Sequence, residues 1–220
     1  MPDCCNPGSA RYEDVFDARF ARDLARRYRR RGATRFERRM VEHLASLGVD
    51  DRTVLEIGGG IGELQLELLA RGAAHTTNVE LSGAYEGEAV ALLEERGVAR
   101  RATRIVGVDV AVDGDRVPAA DYVILHRVVC CYPHAEQLLA AAARHTWRAL
   151  VFSHPPRTWL TRSSVAFGNA WMRVRGHEYR GFIHSPGRMY DALADAGLAP
   201  AALSTGPRWW VVAATRAAPA

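Results

Sequence analysis

The chain has 220 residues, a formal net charge of +4, and only Arg among its 29 basic residues. That length closes one core and leaves no room for a second catalytic unit, and so mild a charge excess argues against an extended acidic polymer as the main partner. No apolar run approaches the roughly 20 residues of a membrane span, and the start lacks the basic-then-apolar plan of a secretory signal, so a cytoplasmic location is expected.

Residues 1–10 have turn composition, with Pro2, Asn6, Pro7, Gly8 and Ser9, and read as a loosely held terminus. From 12 to 31, Val15, Phe16, Phe20, Leu24 and Tyr28 recur at helical spacing, and Arg26, Arg27, Arg29, Arg30 and Arg31 end the run. Basic residues in a last turn complement the helix dipole; an anion-binding lid is the sharper reading. Gly32 stops this helix. Thr34 opens a second, whose apolar face is Phe36, Met40, Leu44 and Leu47, and Gly48 closes it.

Val54, Leu55 and Ile57 form the short apolar run of a parallel strand covered on both faces. Gly58, Gly59, Gly60, Ile61 and Gly62 follow, then a helix at 63–69 with Leu64 and Leu68 on one side. Such a turn points backbone N–H groups outward at a helix start, and its glycines let a ligand approach the main chain. A dinucleotide G-x-G-x-x-G would need glycine at 63, where Glu63 stands; the third glycine falls at Gly62. An acid, one apolar residue and G-x-G-x-G, here Glu56, Ile57, Gly58, Gly60 and Gly62, resembles the first motif of the class I S-adenosylmethionine (SAM) methyltransferases. The resemblance implies an α/β, doubly wound, mostly parallel seven-stranded sheet with helices on both faces. It also implies N-terminal covering helices within 1–48, a SAM-binding domain at 49–216, and a substrate insertion near 157–184. Glu56 is then expected near the ammonium group of SAM, and Gly58, Gly59, Gly60 and Gly62 against its amino-acid moiety.

The second strand, 76–80, ends in Glu80, 18 residues beyond Gly62, about the offset at which an acid of such folds meets a ribose diol. Leu81 follows it in the expected cofactor wall. A helix at 85–96 ends at Gly97, and 102–108 is a third strand. By the resemblance Asp109 accepts a hydrogen bond from the adenine amino group, with Val108 or Val110 against the ring; Asp113 and Asp115 are close rivals. The fourth strand, 121–126, ends in His126, and its C-terminal end should face the ligand crevice. Residues from Arg127 to His134 are therefore expected near the methyl group. Nucleic-acid amino-methylating enzymes carry an acid or Asn, then Pro-Pro and an aromatic, at this place; this chain does not. A helix at 135–145 returns to a fifth strand at 149–152.

Ser153-His154-Pro155-Pro156-Arg157-Thr158-Trp159, Tyr132-Pro133 and His184 before a helix at 189–196 are similar to the magnesium-protoporphyrin O-methyltransferase branch, whose members esterify a propionate. Residues 167–182 carry Trp171, Arg173, Arg175, His177, Tyr179 and Arg180. They read either as a substrate-binding element or as a helix packing Trp171 and Val174 on the sheet. Segments 201–204 and 209–213 complete the sheet as a hairpin around Gly206-Pro207, and 217–220 is a structureless tail.

Methyl transfer from a sulfonium is an in-line displacement whose neutral thioether leaving group needs no acid. A base matters only for hydroxyl, thiol or amine acceptors, and His126, His134, His154 and Tyr132 are the candidates. His126 also stands among the expected cofactor contacts. A carboxylate acceptor needs positive charge instead, which Arg127 and Arg157 offer, with Cys131, Trp171 and Tyr179 completing the expected substrate wall. The expected function is methyl transfer from SAM, leaving S-adenosylhomocysteine (SAH), to a small molecule at a carboxylate or hydroxyl oxygen. The alternatives are a SAM-binding protein without turnover, a nucleic-acid methyltransferase, and a nicotinamide oxidoreductase, the last opposed by the glycine spacing. Cys4-Cys5 and Cys130-Cys131 fit neither a zinc pattern nor a secreted disulfide framework, so reduced thiols and no metal are expected. An alternative folds Cys4-Cys5 over the mouth of the site to meet Cys130-Cys131.

Overall fold

The computed structural model describes Tyr12 and residues 15–216; the loose terminus expected at 1–10, the Cys4-Cys5 pair and the tail at 217–220 lie outside the described residues. Helices α1 (Ala18–Arg31) and α2 (Arg35–Ser46) lead into strand β1 (Thr53–Ile57). Then come α3 (Glu63–Ala70), β2 (His75–Glu80), α4 (Glu86–Glu95), β3 (Ala102–Val106) and β4 (Ala120–Leu125). The chain finishes with α5 (Ala135–Arg144), β5 (Thr146–His154), α6 (Trp159–Val174), α7 (Pro186–Asp195), β6 (Leu198–Thr205) and β7 (Trp210–Arg216).

The seven strands lie in the order β3-β2-β1-β4-β5-β7-β6. All pairings from β3 to β5 are parallel, and β7 runs antiparallel to both neighbours. The chain leaves β1 in one direction for β2 and β3 and returns to its other side for β4, so the order reverses between β1 and β4. The crevice for a ligand opens there, beyond the C-terminal ends of these strands.

Strand alternation builds the two layers, because successive side chains point to opposite faces. Leu55, Val123, Leu125, Leu150 and Phe152 meet Leu138 and Leu139 of α5 and Met189 and Leu193 of α7 on one face. Val54, Tyr122, Ile124 and Val151 meet Met40, Val41 and Leu44 of α2 and Leu64 and Leu68 of α3 on the other. Burying a side chain of this size contributes about 1.5–3 kcal/mol, so the sheet is held from both sides. A satellite cluster ties Ala21, Ala25 and Tyr28 of α1 to Ile61, Leu66 and Leu92. It fixes the N-terminal helix over the glycine turn.

Three expected elements differ. The helix expected from 12 has its α1 start at Ala18, because the Asp17 side chain accepts the Phe20 N–H and caps it there. β3 stops at Val106, where Gly107 leaves the strand with φ of 75°. The helix at the insertion is α6, which starts at Trp159 and ends at Val174, so it covers only the first half of 167–182, and neither Trp171 nor Val174 packs on the sheet: they are 51% and 81% exposed.

Candidate functional site

β1 is buried along Val54, Leu55, Glu56 and Ile57 and delivers the chain into Gly58, Gly60 and Gly62, which take φ of 66°, 53° and 80°. Those left-handed values favour glycine, and space demands it as well. A Cβ on Gly58 would lie 2.6 Å from the Val128 side chain, and one on Gly59 would lie 2.4 Å from both the Glu56 carboxyl carbon and the Asn78 amide. The turn is therefore bare main chain on its outer side.

Glu56 lines the cavity from below the turn. It is 2% exposed beneath the turn, where its carboxylate accepts the Gln65 N–H at 3.1 Å and faces the Asn78 amide at 3.4 Å. Burial, with Glu63 nearby, holds its carboxyl well above the usual range. Its geometry braces the start of α3.

Glu80 stands at the end of β2. One oxygen accepts the Gly60 N–H at 2.9 Å; the other accepts Leu81 at 2.8 Å and Ser82 at 3.1 Å. A carboxylate has about four acceptor sites, so about one remains for a ligand where two were expected. Burial raises its pKa and these backbone donors oppose the rise. Asp109, not Asp113 or Asp115, lines the cavity, between buried Val108 and Val110. Its oxygens accept the Ala111 N–H and the Tyr132 hydroxyl, each at 2.9 Å.

These groups line one side of a cavity of about 800 Å³. The other side carries Arg27 of α1, Phe36 and Glu37 of α2, Glu63 of α3, His126 and Arg127 after β4, and Arg208 and Trp209 before β7. Arg27 reaches Glu63 at 3.1 Å and Glu37 at 3.6 Å. Burial, together with Glu37, lifts Glu63 to about 7 despite Arg27. His126 Nδ1 meets the Ser153 hydroxyl at 3.0 Å, and its Nε2 lies 3.7 Å from Glu37. Burial and then the Arg127 and Arg27 charges push His126 down to about 3, so its ring stays neutral. Arg127 takes the left-handed region at φ 61°, and its guanidinium lies 5.2 Å above the Trp209 ring. Among the described residues no carboxylate is salt-bridged to it.

The roof is aromatic. Tyr179, Phe16, Phe20 and Tyr85 follow one another edge to face at 5.3, 5.6 and 6.5 Å between ring centres. Tyr12 joins it, donating its hydroxyl to the Cys131 carbonyl at 3.1 Å. Beneath it Cys130 and Cys131 are free thiols with sulfurs 3.7 Å apart, and the Tyr179 hydroxyl is 3.1 Å from the Cys131 sulfur. Cys130 and Tyr179 as donors hold Cys131 below the usual thiol range, while Cys130 is pushed above it. No group of three or more metal-ligating side chains occurs among the described residues.

Five expected site residues lie elsewhere, the first being Gly62, which takes the N-cap of α3 and does not line the cavity. His154 is 2% exposed on the far side of β5, its Nδ1 on the Pro155 carbonyl and its ring among Phe152, Tyr190 and Trp210. His134 holds the N-cap position of α5, with no side-chain cap bond, beside a separate, open depression with Glu136 and Arg188. Arg157 is exposed and Trp171 sits on the outer face of α6 under Arg175, both away from the cavity. Tyr132 does line it, but buried and with its hydroxyl committed to Asp109.

No family model matches the chain, and no curated protein matches it in sequence. Solved structures do match in fold. Magnesium protoporphyrin IX methyltransferase from Synechocystis PCC 6803 with bound SAH aligns with a TM-score of 0.71 at 20% identity, over 94% of this chain and 99% of that one. This chain has the methyltransferase fold. The same enzyme with bound SAM gives 0.69 at 20% identity over 98% and 100% of the two chains. An O-methyltransferase family 2 protein from Planctomyces limnophilus in complex with apigenin gives 0.67 at 19% identity, over 94% of this chain and 65% of that one.

Within this methyltransferase fold, several cavity residues carried a weak sequence signal. Arg27 continues the phase of Phe20 and Leu24 by three residues, whereas Arg29 turns away to Glu88 and Glu95. Glu37 is the fourth residue of a Thr34-x-x-Glu37 capping box, yet it is 3% exposed, more than capping requires. Arg208 and Trp209 had no local signal, since only the hairpin's placement brings them to the cavity.

Proposed function

We propose that this chain is a SAM-dependent methyltransferase whose acceptor is a small molecule carrying an acidic group, methylated at oxygen. The observation that carries the reading is one cavity whose wall holds a bare glycine turn, Glu80 after β2 and Asp109 after β3. A glycine cradle that a Cβ would fill fits an amino-acid moiety laid along main chain. The remaining acceptor site of Glu80 suits one ribose hydroxyl, and buried Val108 and Val110 suit a flat ring. When bound, SAM supplies an electrophilic methyl group on a sulfonium.

The chain's own residues then orient and exclude water, since holding two reactants aligned can supply as much as about 7–11 kcal/mol of such a barrier. The aromatic roof keeps the cavity dry, and Arg127, backed by Trp209, docks the acceptor's negative charge. A histidine with a pKa near 3 is a poor proton acceptor at neutral pH, which favours an acceptor already ionised. The magnesium protoporphyrin enzyme and the apigenin-bound protein among the fold's neighbours agree with an oxygen acceptor on a small molecule. Domain-wise, α1 and α2 serve as the cover and 49–216 as the catalytic unit.

Calorimetry with SAM, SAH and NAD tests the first half: SAM and SAH should bind and NAD should not. Incubation with methyl-labelled SAM and fractionated metabolites tests the second. Label in a base-labile ester or an ether of a small molecule is the expected result, and label confined to nucleic acid would overturn it.

A further inference from the structure

α6 is a 16-residue helix with no buried residue. Its polar and small positions Thr161, Gly168 and Asn169, with Val165 and Met172, face inward and are half-buried. Asn169 is bonded to both the N–H and the carbonyl of Gly181 at 2.8 Å, and the next residue, Phe182, donates its N–H to the Cys130 carbonyl at 2.7 Å. The inner face is thus strapped to the segment that carries Tyr179 into the cavity roof.

The outer face is apolar. Leu160, Phe167, Trp171 and Val174 are 62%, 76%, 51% and 81% exposed, and at 3.6 residues per turn they fall within about 60° of one another. Trp159 at the helix start points about 100° round the helix from Leu160 and is 78% exposed. Exposed arginines surround it: Arg157 and Arg175 stand at the two ends of the helix, and Arg162 and Arg173 lie about 100° or more round the helix from the stripe; no acidic residue occurs from Pro155 to His177, and exposed Glu178 follows. Arg175 lies 4.6 Å over the Trp171 ring, so a cation sits at the very rim of the stripe.

We propose that α6 docks the protein on an anionic lipid surface, lying in the interface with Leu160, Phe167 and Trp171 toward the acyl chains and the arginines among the headgroups. Apolar residues including Trp on one side of a helix, with basic residues around them, match the chemistry of an interfacial helix. The charge pattern selects the occupant. A second copy seated on the same stripe would set arginine against arginine with no acid on the helix to answer it, which opposes pairing, whereas anionic headgroups answer every one. The helix lies on the surface and does not cross it, since no helix among the described residues is long and apolar enough to span. Docking in this way brings the cavity roof, one segment inward from α6, to the lipid boundary, where an amphiphilic small molecule is concentrated.

The test is flotation of the full chain with vesicles of phosphatidylcholine, with and without about 30 mol% phosphatidylserine, at about 0.1 M and about 1 M salt. The expected result is at least tenfold stronger partitioning onto the serine-containing vesicles, most of it lost at high salt. Phe167→Asp and the pair Arg173→Gln, Arg175→Gln should each reduce it at least tenfold. Both lie on exposed positions, and unchanged thermal unfolding and SAH binding would confirm an intact fold. Quenching of Trp159 and Trp171 fluorescence by brominated lipid, lost in Trp159→Phe with Trp171→Phe, locates the contact. Equal partitioning to both vesicle types, an unaffected Phe167→Asp variant, or a dimer in solution that Phe167→Asp dissociates would each overturn the proposal.

Discussion

Around the glycine turn the cavity wall is largely main chain, set by β1, β2 and the residue after β3, and each of its groups is already held by hydrogen bonds. The opposite wall is made of side chains from α1, α2, α3, the turn after β4 and the loop before β7. The first wall is a backbone shape that few substitutions can enter. The second is a balance of charges, Arg27 against Glu37 and Glu63, that tolerates exchange and can be retuned for different acceptors.

The contrast is broken most severely at the turn. Gly58→Val places a branched side chain where a Cβ already meets Val128 at 2.6 Å, on backbone that disfavours it. SAH binding by calorimetry should fall more than a hundredfold with the circular dichroism spectrum retained. Undiminished binding would remove the main-chain wall from the account.

On the charged wall, Glu63→Gln should act through pH. The folded pKa of Glu63, about 7, lies above its unfolded value of 4.5, so the native state holds the proton longer as pH rises. Stability therefore falls between about pH 4.5 and 7, and the penalty is complete above. Relative to the parent, the Gln variant should gain up to about 3 kcal/mol on going from pH 4 to pH 8. Denaturant melts at the two pH values measure it, and parallel curves would mean Glu63 ionises freely in the fold.

Glu80→Ala removes the anchor of Gly60 and, on the proposed reading, one hydrogen bond to the cofactor. A loss of about 1.5–3 kcal/mol corresponds to SAH affinity roughly tenfold or more weaker. A change under threefold would show that Asp109 alone holds the cofactor side.

The smallest effect separates the two walls. Arg127→Asn keeps a residue tolerant of the left-handed region and deletes the cation. It should raise the acceptor KM about tenfold and leave SAH affinity unchanged, while Arg157→Ala, remote from the cavity, should change neither. Loss of SAH binding in Arg127→Asn would merge the two walls into one.

This division also explains what was legible in the sequence. The strand, the glycine spacing and Glu80 sit within one stretch of chain, and local pattern marks them. Arg27, Glu37 and Trp209 become neighbours only when the antiparallel β7 is placed beside β5 and α2 lies across that face, which no local spacing encodes. His154 misled because a histidine at a strand end points to either face of the sheet, and here it points to the side filled by Tyr190 and Trp210. Of the exposed stripe of α6, Trp171 and Val174 were read as the packed face of a helix. Their spacing is the same for a helix packed on a sheet as for one left uncovered.

The cavity roof has a kinetic consequence. Its rings meet edge to face, each contact worth about 0.5–1.5 kcal/mol, and they come from two distant parts of the chain. Parting Phe16 from Tyr179 costs little beside a chemical barrier, so the gate opens and closes many times per turnover. On the proposed reading the chemical step, and not passage through the roof, then sets the pace, and turnover should be insensitive to solvent viscosity.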